Sequence, residues 1–139
     1  MAPMKVIIVG GGKIGTSLCR SLLDKGYQIK IIENRQDRIA RIKDHLPIDI
    51  IIFGSGTDPD LLETNGIRAA DVIVALTGDD EVNLVVSDLA RHEFGVKCTI
   101  ARVNNPNNAW LFTQALGVDI AINQTDLIVS LISKEIAQR

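Results

Sequence analysis

The sequence has little of what several classes of protein require. Only two of its 139 residues are cysteine, Cys19 and Cys98, and no CxxC pair occurs. This fits a reducing, cytoplasmic setting without a metal site, and a disulfide between the two is the less favoured alternative. No apolar run approaches the roughly 18–20 residues that cross a bilayer. The net charge of -2 provides no basic field for nucleic acid. What remains is a globular composition, 46% hydrophobic and 23% charged, that is enough for one domain with a core.

Short apolar runs rich in Val and Ile alternate with helix-like segments. The runs are continuous, as is typical of strands buried on both faces. The predicted strands are Val6–Val9, Ile29–Ile32, Ile48–Phe53, Val72–Leu76, Thr99–Val103 and Val118–Ile122. The predicted helices are Ile14–Lys25, Asp37–His45, Pro59–Asn65 with Asp58 as N-cap, Asp79–Phe94, Asn107–Leu116 and Thr125–Arg139. The alternation predicts an α/β, doubly wound parallel sheet of six strands, and analogy with such folds suggests the strand order 3-2-1-4-5-6.

The stretch VIIVGGGKIG carries the main functional signal. Gly10, Gly12 and Gly15 match the pattern G-x-G-x-x-G at the end of a predicted strand and the start of a predicted helix. In this context Gly10 permits a tight turn, Gly12 lets a pyrophosphate approach the backbone, and Gly15 lets the helix pack on the strand. The free N–H groups of the helix then face the phosphates. The alternative is a glycine-rich turn without a ligand.

An acidic residue ends the second predicted strand. Glu33 follows Gly15 by 18 positions, close to the spacing of about 20 residues that the dinucleotide pattern expects. Its carboxylate can accept hydrogen bonds from both ribose hydroxyls and would repel a 2′-phosphate, which favours NAD over NADP. Arg35, Arg38 and Arg41 follow, and although they could bind a phosphate, we interpret them as a solvated helix face.

Further polar segments follow the third and fourth strands. Gly54–Thr57 and Thr77–Asp80 lie where ligands of open α/β sheets bind, beyond the carboxyl ends of the strands. The equally weighted alternative is an ordinary turn that caps the next helix, with Asp79 as the cap. Arg102 interrupts the apolar fifth strand, so we expect a partner for it, either a ligand phosphate or a carboxylate such as that of Asp79.

Residues for catalysis are not evident. His45 and His92 do not follow strands, Tyr27 has no lysine four positions later, and no Ser/His/Asp arrangement or metal-ligand spacing occurs. We therefore predict no catalytic residues, no metal and a binding module rather than an enzyme. The alternatives are a small NAD-dependent oxidoreductase or redox sensor, and a dimerisation domain with a vestigial site.

The order of the motifs resembles one family. VIIVGGGKIG, IIEN, GSGTDPDLLETNGI, ADVIVALTGDDEVNL, ARVNNP and LGVDIAINQ together resemble the N-terminal RCK domain, also called TrkA-N or KTN. The resemblance implies a cytoplasmic Rossmann domain that binds NAD(H), or ATP, ADP or AMP. It also implies a homodimer, in some cases a ring, that acts on a membrane pore from the inner face of the membrane and so regulates a potassium uptake system of the TrkA or KtrA type or a related potassium channel.

The same resemblance implies the site residues. Gly10, Gly12, Lys13, Ile14 and Gly15 would form the phosphate loop, and Glu33 would hold the ribose. Ser55, Gly56 and Thr57 would lie beside the adenine, with Ser55 where many relatives have Asp. Thr77, Asp80, Asn83 and Arg102 would face the phosphates or the distal half of the ligand.

The predicted last helix carries an apolar stripe that needs cover. The stripe consists of Leu127, Ile128, Leu131, Ile132 and Ile136. We expect a single domain over residues 1–139, excised from a longer protein. A dimer partner, or a C-terminal domain that is missing from this chain, would cover the stripe.

Overall fold

The computed structural model describes residues 3–139. These residues contain a six-stranded sheet in the order β3-β2-β1-β4-β5-β6, and every neighbouring pair is parallel. The strands are β1 Lys5–Val9, β2 Gln28–Glu33, β3 Ile51–Phe53, β4 Val72–Ala75, β5 Cys98–Val103 and β6 Ile120–Asn123. The doubly wound sheet and its strand order are therefore confirmed. No helix among the described residues is long and apolar enough to span a membrane.

Helices cover both faces of this sheet. They are α1 Lys13–Asp24, α2 Gln36–Ile42, α3 Pro59–Thr64 and α4 Asp80–Asp88, and a fifth helix, α5 Gln124–Ala137, follows β6 without burying any of its residues. Successive residues of a strand point to opposite faces, and β1 shows this directly. Ile8 packs with Cys19 of α1 and Ile39 of α2, whereas Ile7 packs on the other face in the cluster that includes Val86 of α4.

The third strand begins later than predicted. Ile48–Ile50 form a 3-10 turn after Pro47, and the strand covers only Ile51–Phe53. Ile48 has an exposed fraction of 69%, so the β-branched residue that favoured a strand here lies at the surface. The sixth strand likewise begins two residues later than predicted, at Ile120, because Val118 is buried in the helix-covered core before the strand starts.

The predicted helix Asn107–Leu116 is wrong. Two 3-10 segments occupy this region, Pro106–Leu111 and Gln114–Leu116. The backbone leaves the helical region between them, at Phe112 and Thr113, and the Phe112 ring is buried in the core. Burial of this aromatic side chain therefore overrides the helical pattern.

The predicted helix Asp79–Phe94 is a composite. The α-helical part ends at Asp88, and Leu89–Glu93 continue it as a π turn. Asp79 is the N-cap, and its carboxylate accepts hydrogen bonds from the N–H groups of Glu81 and Val82. The capping alternative for Asp79 is thus confirmed.

One part of the sheet lacks a helix over it. We call this part the apolar groove; it is lined by Leu18 and Leu22 of α1 and by Val72, Leu76, Ile100 and Ile122 of the sheet region. Helix α5 begins at the edge of the groove but extends away from it. Its apolar residues are largely solvent-exposed, with exposed fractions of 58% for Leu131 and 55% for Ile132.

Candidate nucleotide-binding site

A cleft lies at the carboxyl ends of the central strands, where β1 separates β2 from β4. This is the point at which the strand order reverses, the usual ligand position in such sheets. The structure brings several predicted site residues together around it. The cleft is lined by Gly10, Glu33, Ser55, Gly56 and Thr77, with Val9, Ile32, Asn34, Gly54 and Val82.

Two glycines of the loop between β1 and α1 are required by the fold. Gly10 has a φ of +117°, a conformation that other residues rarely adopt. A Cβ atom on Gly15 would lie 1.9 Å from the carbonyl oxygen of Gly10. The predicted roles of Gly10 in the turn and of Gly15 in close packing follow from this geometry.

Gly12 is a different case. It has an ordinary φ of -75° as the N-cap of α1. A Cβ atom here would meet only the tip of the Arg38 side chain, 2.8 Å from Nη1. The fold itself therefore tolerates a side chain at this position if the flexible tip of Arg38 moves aside.

The N-terminus of α1 is open. No side chain caps it, and its first turn contains no acidic residue. The N–H groups of a helix start need acceptors, and together with the helix dipole they favour an anion. Lys13 and Ile14 are exposed at this end, so the first turn of α1 can accommodate a phosphate group.

Glu33 connects the loop to β2. Its side chain is buried, and Oε1 accepts a hydrogen bond from the Gly11 N–H at 2.7 Å while Oε2 accepts one from the Arg35 N–H at 2.9 Å. Each carboxylate oxygen has a further lone pair, so acceptance from ribose hydroxyls remains open. Sequence reasoning did not find this second role, in which Glu33 fixes the position of the glycine loop.

The segment after β3 forms a compact turn. The Ser55 and Thr57 hydroxyls lie 2.7 Å apart, and the Thr57 N–H donates to Ser55 Oγ. A Cβ atom on Gly56 would lie 2.5 Å from Cγ1 of Val9, so Gly56 is needed for packing against β1. Ser55 and Gly56 line the cleft, whereas Thr57 does not.

Asn83 joins the ends of β4 and β5. The side chain is fully buried. Its Oδ1 accepts hydrogen bonds from the N–H and the hydroxyl of Thr77, and its Nδ2 donates to the carbonyl oxygens of Thr77 and Arg102. All of these bonds are internal, so Asn83 positions Thr77 at the cleft and does not line the cleft itself.

Asp80 holds the segment after β5. Its oxygens accept hydrogen bonds from the N–H groups of Asn104 and Asn105 and from the side chains of Asn104 and Asn108. Burial opposes the charged form, but these hydrogen bonds outweigh it and keep the pKa of the Asp80 carboxyl below its ordinary value. The role of these asparagines was not predicted, although the run NNPNN after a buried strand is the signal that could have revealed them.

Arg102 lies apart from the cleft. Its side chain is half-buried and lines the apolar groove. Within residues 3–139 its buried Nε has no hydrogen-bond partner and no carboxylate forms an ion pair with it. Asp79, the partner considered from the sequence, is occupied as a helix cap.

Within residues 3–139 no group of three or more His, Cys, Asp or Glu side chains could hold a metal ion.

The comparison with protein-family models identifies the family. The model of the TrkA-N domain matches residues 6–124. The chain belongs to the TrkA-N family. The resemblance inferred from the motifs is therefore confirmed over most of the chain.

Curated relatives of this TrkA-N chain are potassium uptake proteins. The Trk system potassium uptake protein TrkA of Mycobacterium tuberculosis is 40% identical over 133 residues, which cover 96% of this chain and 60% of the relative. A TrkA homolog of Methanothermobacter thermautotrophicus is 39% identical over 120 residues, covering 86% and 54% respectively. The chain thus spans 60% or less of the length of these relatives.

Solved structures share the fold. The match with the GsuK channel bound to NAD has a TM-score of 0.76 and 20% sequence identity. It covers 91% of this chain and 22% of the GsuK chain. GsuK bound to ADP has a TM-score of 0.78 at 22% identity, covering 94% and 33%. The Kef C-terminal domain of Shewanella denitrificans in its AMP-bound form has a TM-score of 0.75 at 25% identity, covering 96% and 80%.

Proposed function

We propose that this TrkA-N chain is the nucleotide-binding part of a regulator of potassium transport. The observation that carries the proposal is the N-terminus of α1, which has neither a side-chain cap nor an acidic residue in its first turn and follows closely on Gly10, a residue that lines the cleft. These features favour a phosphate, and Glu33 lines the cleft, where we assign it to the ribose. The names of the curated relatives support potassium transport as the process.

NAD(H) is the proposed ligand, with ATP, ADP or AMP as alternatives. Glu33 supports any of these, because each has a ribose with free 2′ and 3′ hydroxyls. The similar structures described as bound to NAD, ADP and AMP support a nucleotide as the ligand. In this proposal Gly10, Gly12, Lys13, Ile14 and Gly15 surround the phosphates. Ser55 and Gly56 lie on the adenine side, and Thr57 holds Ser55 in position there. Thr77 faces the distal half, and Asp80 and Asn83 support it, whereas Arg102 lines the apolar groove and is left out of this site.

The proposed working form is a homodimer in which α5 of one copy covers the apolar groove of the other. The chain has both surfaces that such a contact needs. The groove is an uncovered apolar part of the sheet, and the stripe of α5 containing Leu131 and Ile132 is exposed along its length. Burial of apolar surface is favourable. A dimer in which each α5 lies on the apolar groove of the other copy would therefore bury both surfaces at once.

Coupling to a pore follows from that arrangement. A nucleotide that binds the two dimer conformations with different affinity shifts their populations and so biases a membrane partner. We propose that the chain forms one domain of such a regulator, in some assemblies as a ring. The domain would lie in the cytoplasm against the inner face of the membrane, and its role would be regulatory rather than enzymatic.

Calorimetric titration with NAD⁺, NADH, ATP, ADP and AMP tests the ligand, after mass spectrometry has checked the purified chain for carried-over nucleotide. Selective binding of any one of them supports the proposal, and Gly12→Asp should abolish that binding. Lys25→Ala is the matched control, because Lys25 is exposed at the far end of α1. If none of the five nucleotides binds, the proposed function is wrong and only a structural role remains.

Sedimentation of the chain and of Leu131→Asp tests the dimer. We expect a dimer that shifts toward monomer in the variant. Ser130→Asp, which places the same charge one residue earlier on α5, should leave the dimer intact because Ser130 is not part of the apolar stripe. A Leu131→Asp variant that remains dimeric would place the interface elsewhere.

A further inference from the structure

A second concave surface lies between α1 and α2, on the outer side of the glycine loop. We call it the basic groove; it is lined by Lys13, Ser17 and Arg20 of α1 and by Arg38, Arg41 and His45 of the α2 region. No Asp or Glu lines the groove among the residues that the structure describes. Four cations therefore share one concave surface on a chain whose net charge is -2.

Arg38 is the central residue of the basic groove. Its side chain is half-buried, and its guanidinium group lies over the phosphate loop, with Nη1 2.8 Å from the position of a Cβ atom on Gly12. Within residues 3–139 no carboxylate forms an ion pair with it. Arg41, by contrast, forms an ion pair with Asp37 at 3.0 Å, and both side chains are more than 70% exposed, so this pair is weak and can be opened by a ligand.

We propose that the basic groove binds a phosphate group, with Arg38 as its principal contact. The planar guanidinium group presents paired N–H donors that match two phosphate oxygens. Lys13, Arg41 and the N-terminal end of α1 add positive potential on the same side. In this proposal Arg38 recognises a ligand, whereas the sequence led us to interpret it as part of a solvated helix face.

The phosphate can reach the groove from two sources. One is the 2′-phosphate of a dinucleotide whose adenosine ribose lies at Glu33, and this source rests on the proposed function. Glu33 permits it because both carboxylate oxygens already accept backbone hydrogen bonds, which offset part of the repulsion that the sequence predicted. The other source is a free inorganic anion, and this source is independent of a dinucleotide in the cleft.

Titration of the full chain and of Arg38→Ala with NADP⁺, NAD⁺ and inorganic pyrophosphate tests the proposal. Lys43→Ala is the matched control, because Lys43 carries the same charge at the end of α2 and does not line the groove. Thermal unfolding of each variant verifies that the fold is retained. Repeating the titrations at high salt measures the screening expected of exposed charges.

The outcomes separate the two sources. Binding of NADP⁺ that falls about tenfold or more in Arg38→Ala, with NAD⁺ affinity unchanged, supports the 2′-phosphate. Pyrophosphate binding that is lost in Arg38→Ala and kept in Lys43→Ala supports a free anion, even if no dinucleotide binds. If Arg38→Ala changes neither NADP⁺ nor pyrophosphate affinity, the basic groove does not bind phosphate and the proposal is overturned.

Discussion

The two sides of the candidate cleft differ in how their polar groups are used. On the side of β1 and β2, Gly10 leads into the uncapped N-terminus of α1, and Glu33 is the one acidic residue among the described residues that line the cleft. On the side of β4 and β5, Asn83 and Asp80 are bonded to neighbouring protein groups. The first side is open to a ligand, whereas the second is a rigid support that fixes the strand ends.

The largest effect on binding is expected for Gly12→Asp. The added carboxylate would lie beside the loop and place a negative charge at the start of α1, so nucleotide binding should be lost. The fold should survive, because a Cβ atom at this position meets only the flexible tip of Arg38. Calorimetry together with circular dichroism measures both properties.

Gly15→Ala sharpens this prediction within the same loop. The Cβ atom of the alanine would clash with the Gly10 carbonyl oxygen. This variant should therefore lose stability, whereas Gly12→Asp should lose binding and keep the fold. If Gly12→Asp unfolds the chain as severely as Gly15→Ala does, our distinction between the two glycines is wrong.

Asn83→Ala should cause the largest loss of stability on the distal side. The substitution leaves the part-buried N–H of Thr77 and the carbonyl oxygen of Arg102 without this partner, while the Thr77 carbonyl oxygen keeps the donor Asn104 Nδ2. The free energy of unfolding should fall by about 3 kcal/mol. Urea denaturation measures this loss. A change below about 0.5 kcal/mol would show that the distal network is not a support of the fold.

Glu33→Ala tests the acidic residue on the side of β1 and β2. Loss of a charge-assisted hydrogen bond to the ribose should weaken nucleotide binding by about 1–3 kcal/mol. The variant should also be less stable, because the Gly11 and Arg35 N–H groups lose their acceptor. Calorimetry and urea denaturation separate the two effects, and unchanged affinity would remove Glu33 from the ribose position.

Asp80→Asn gives the smallest effect and one that depends on pH. The pKa of Asp80 is lowered in the folded chain, so its stabilisation is complete above the ordinary carboxyl pKa and is lost as the pH falls through the folded value. The variant should be less stable by about 1–2 kcal/mol at pH 7. Urea denaturation at pH 7 and pH 3 should show this difference shrinking in acid; a constant difference would contradict the prediction.

The sequence allowed most of the fold to be predicted, and the glycine loop in particular. Continuous Val and Ile runs mark buried strands, and glycines constrain the backbone locally, so Gly10 and Gly15 could be interpreted without knowledge of distant residues. The role of Asp80 could not, because its partners Asn104, Asn105 and Asn108 come from another loop. The helix expected after Asn107 failed for a similar reason, since burial of Phe112 depends on the tertiary core.

The position of β1 has a consequence for how the chain folds. The first strand in sequence lies in the middle of the sheet, with β2 on one side and β4 on the other, and the Lys5 N–H even donates to Asp71, 66 positions later. During synthesis β1 can pair with β2 early, but its other edge stays open until β4 has emerged. Open strand edges invite pairing with other chains, so a nascent chain that stalls before residue 72 would be the form most prone to aggregate.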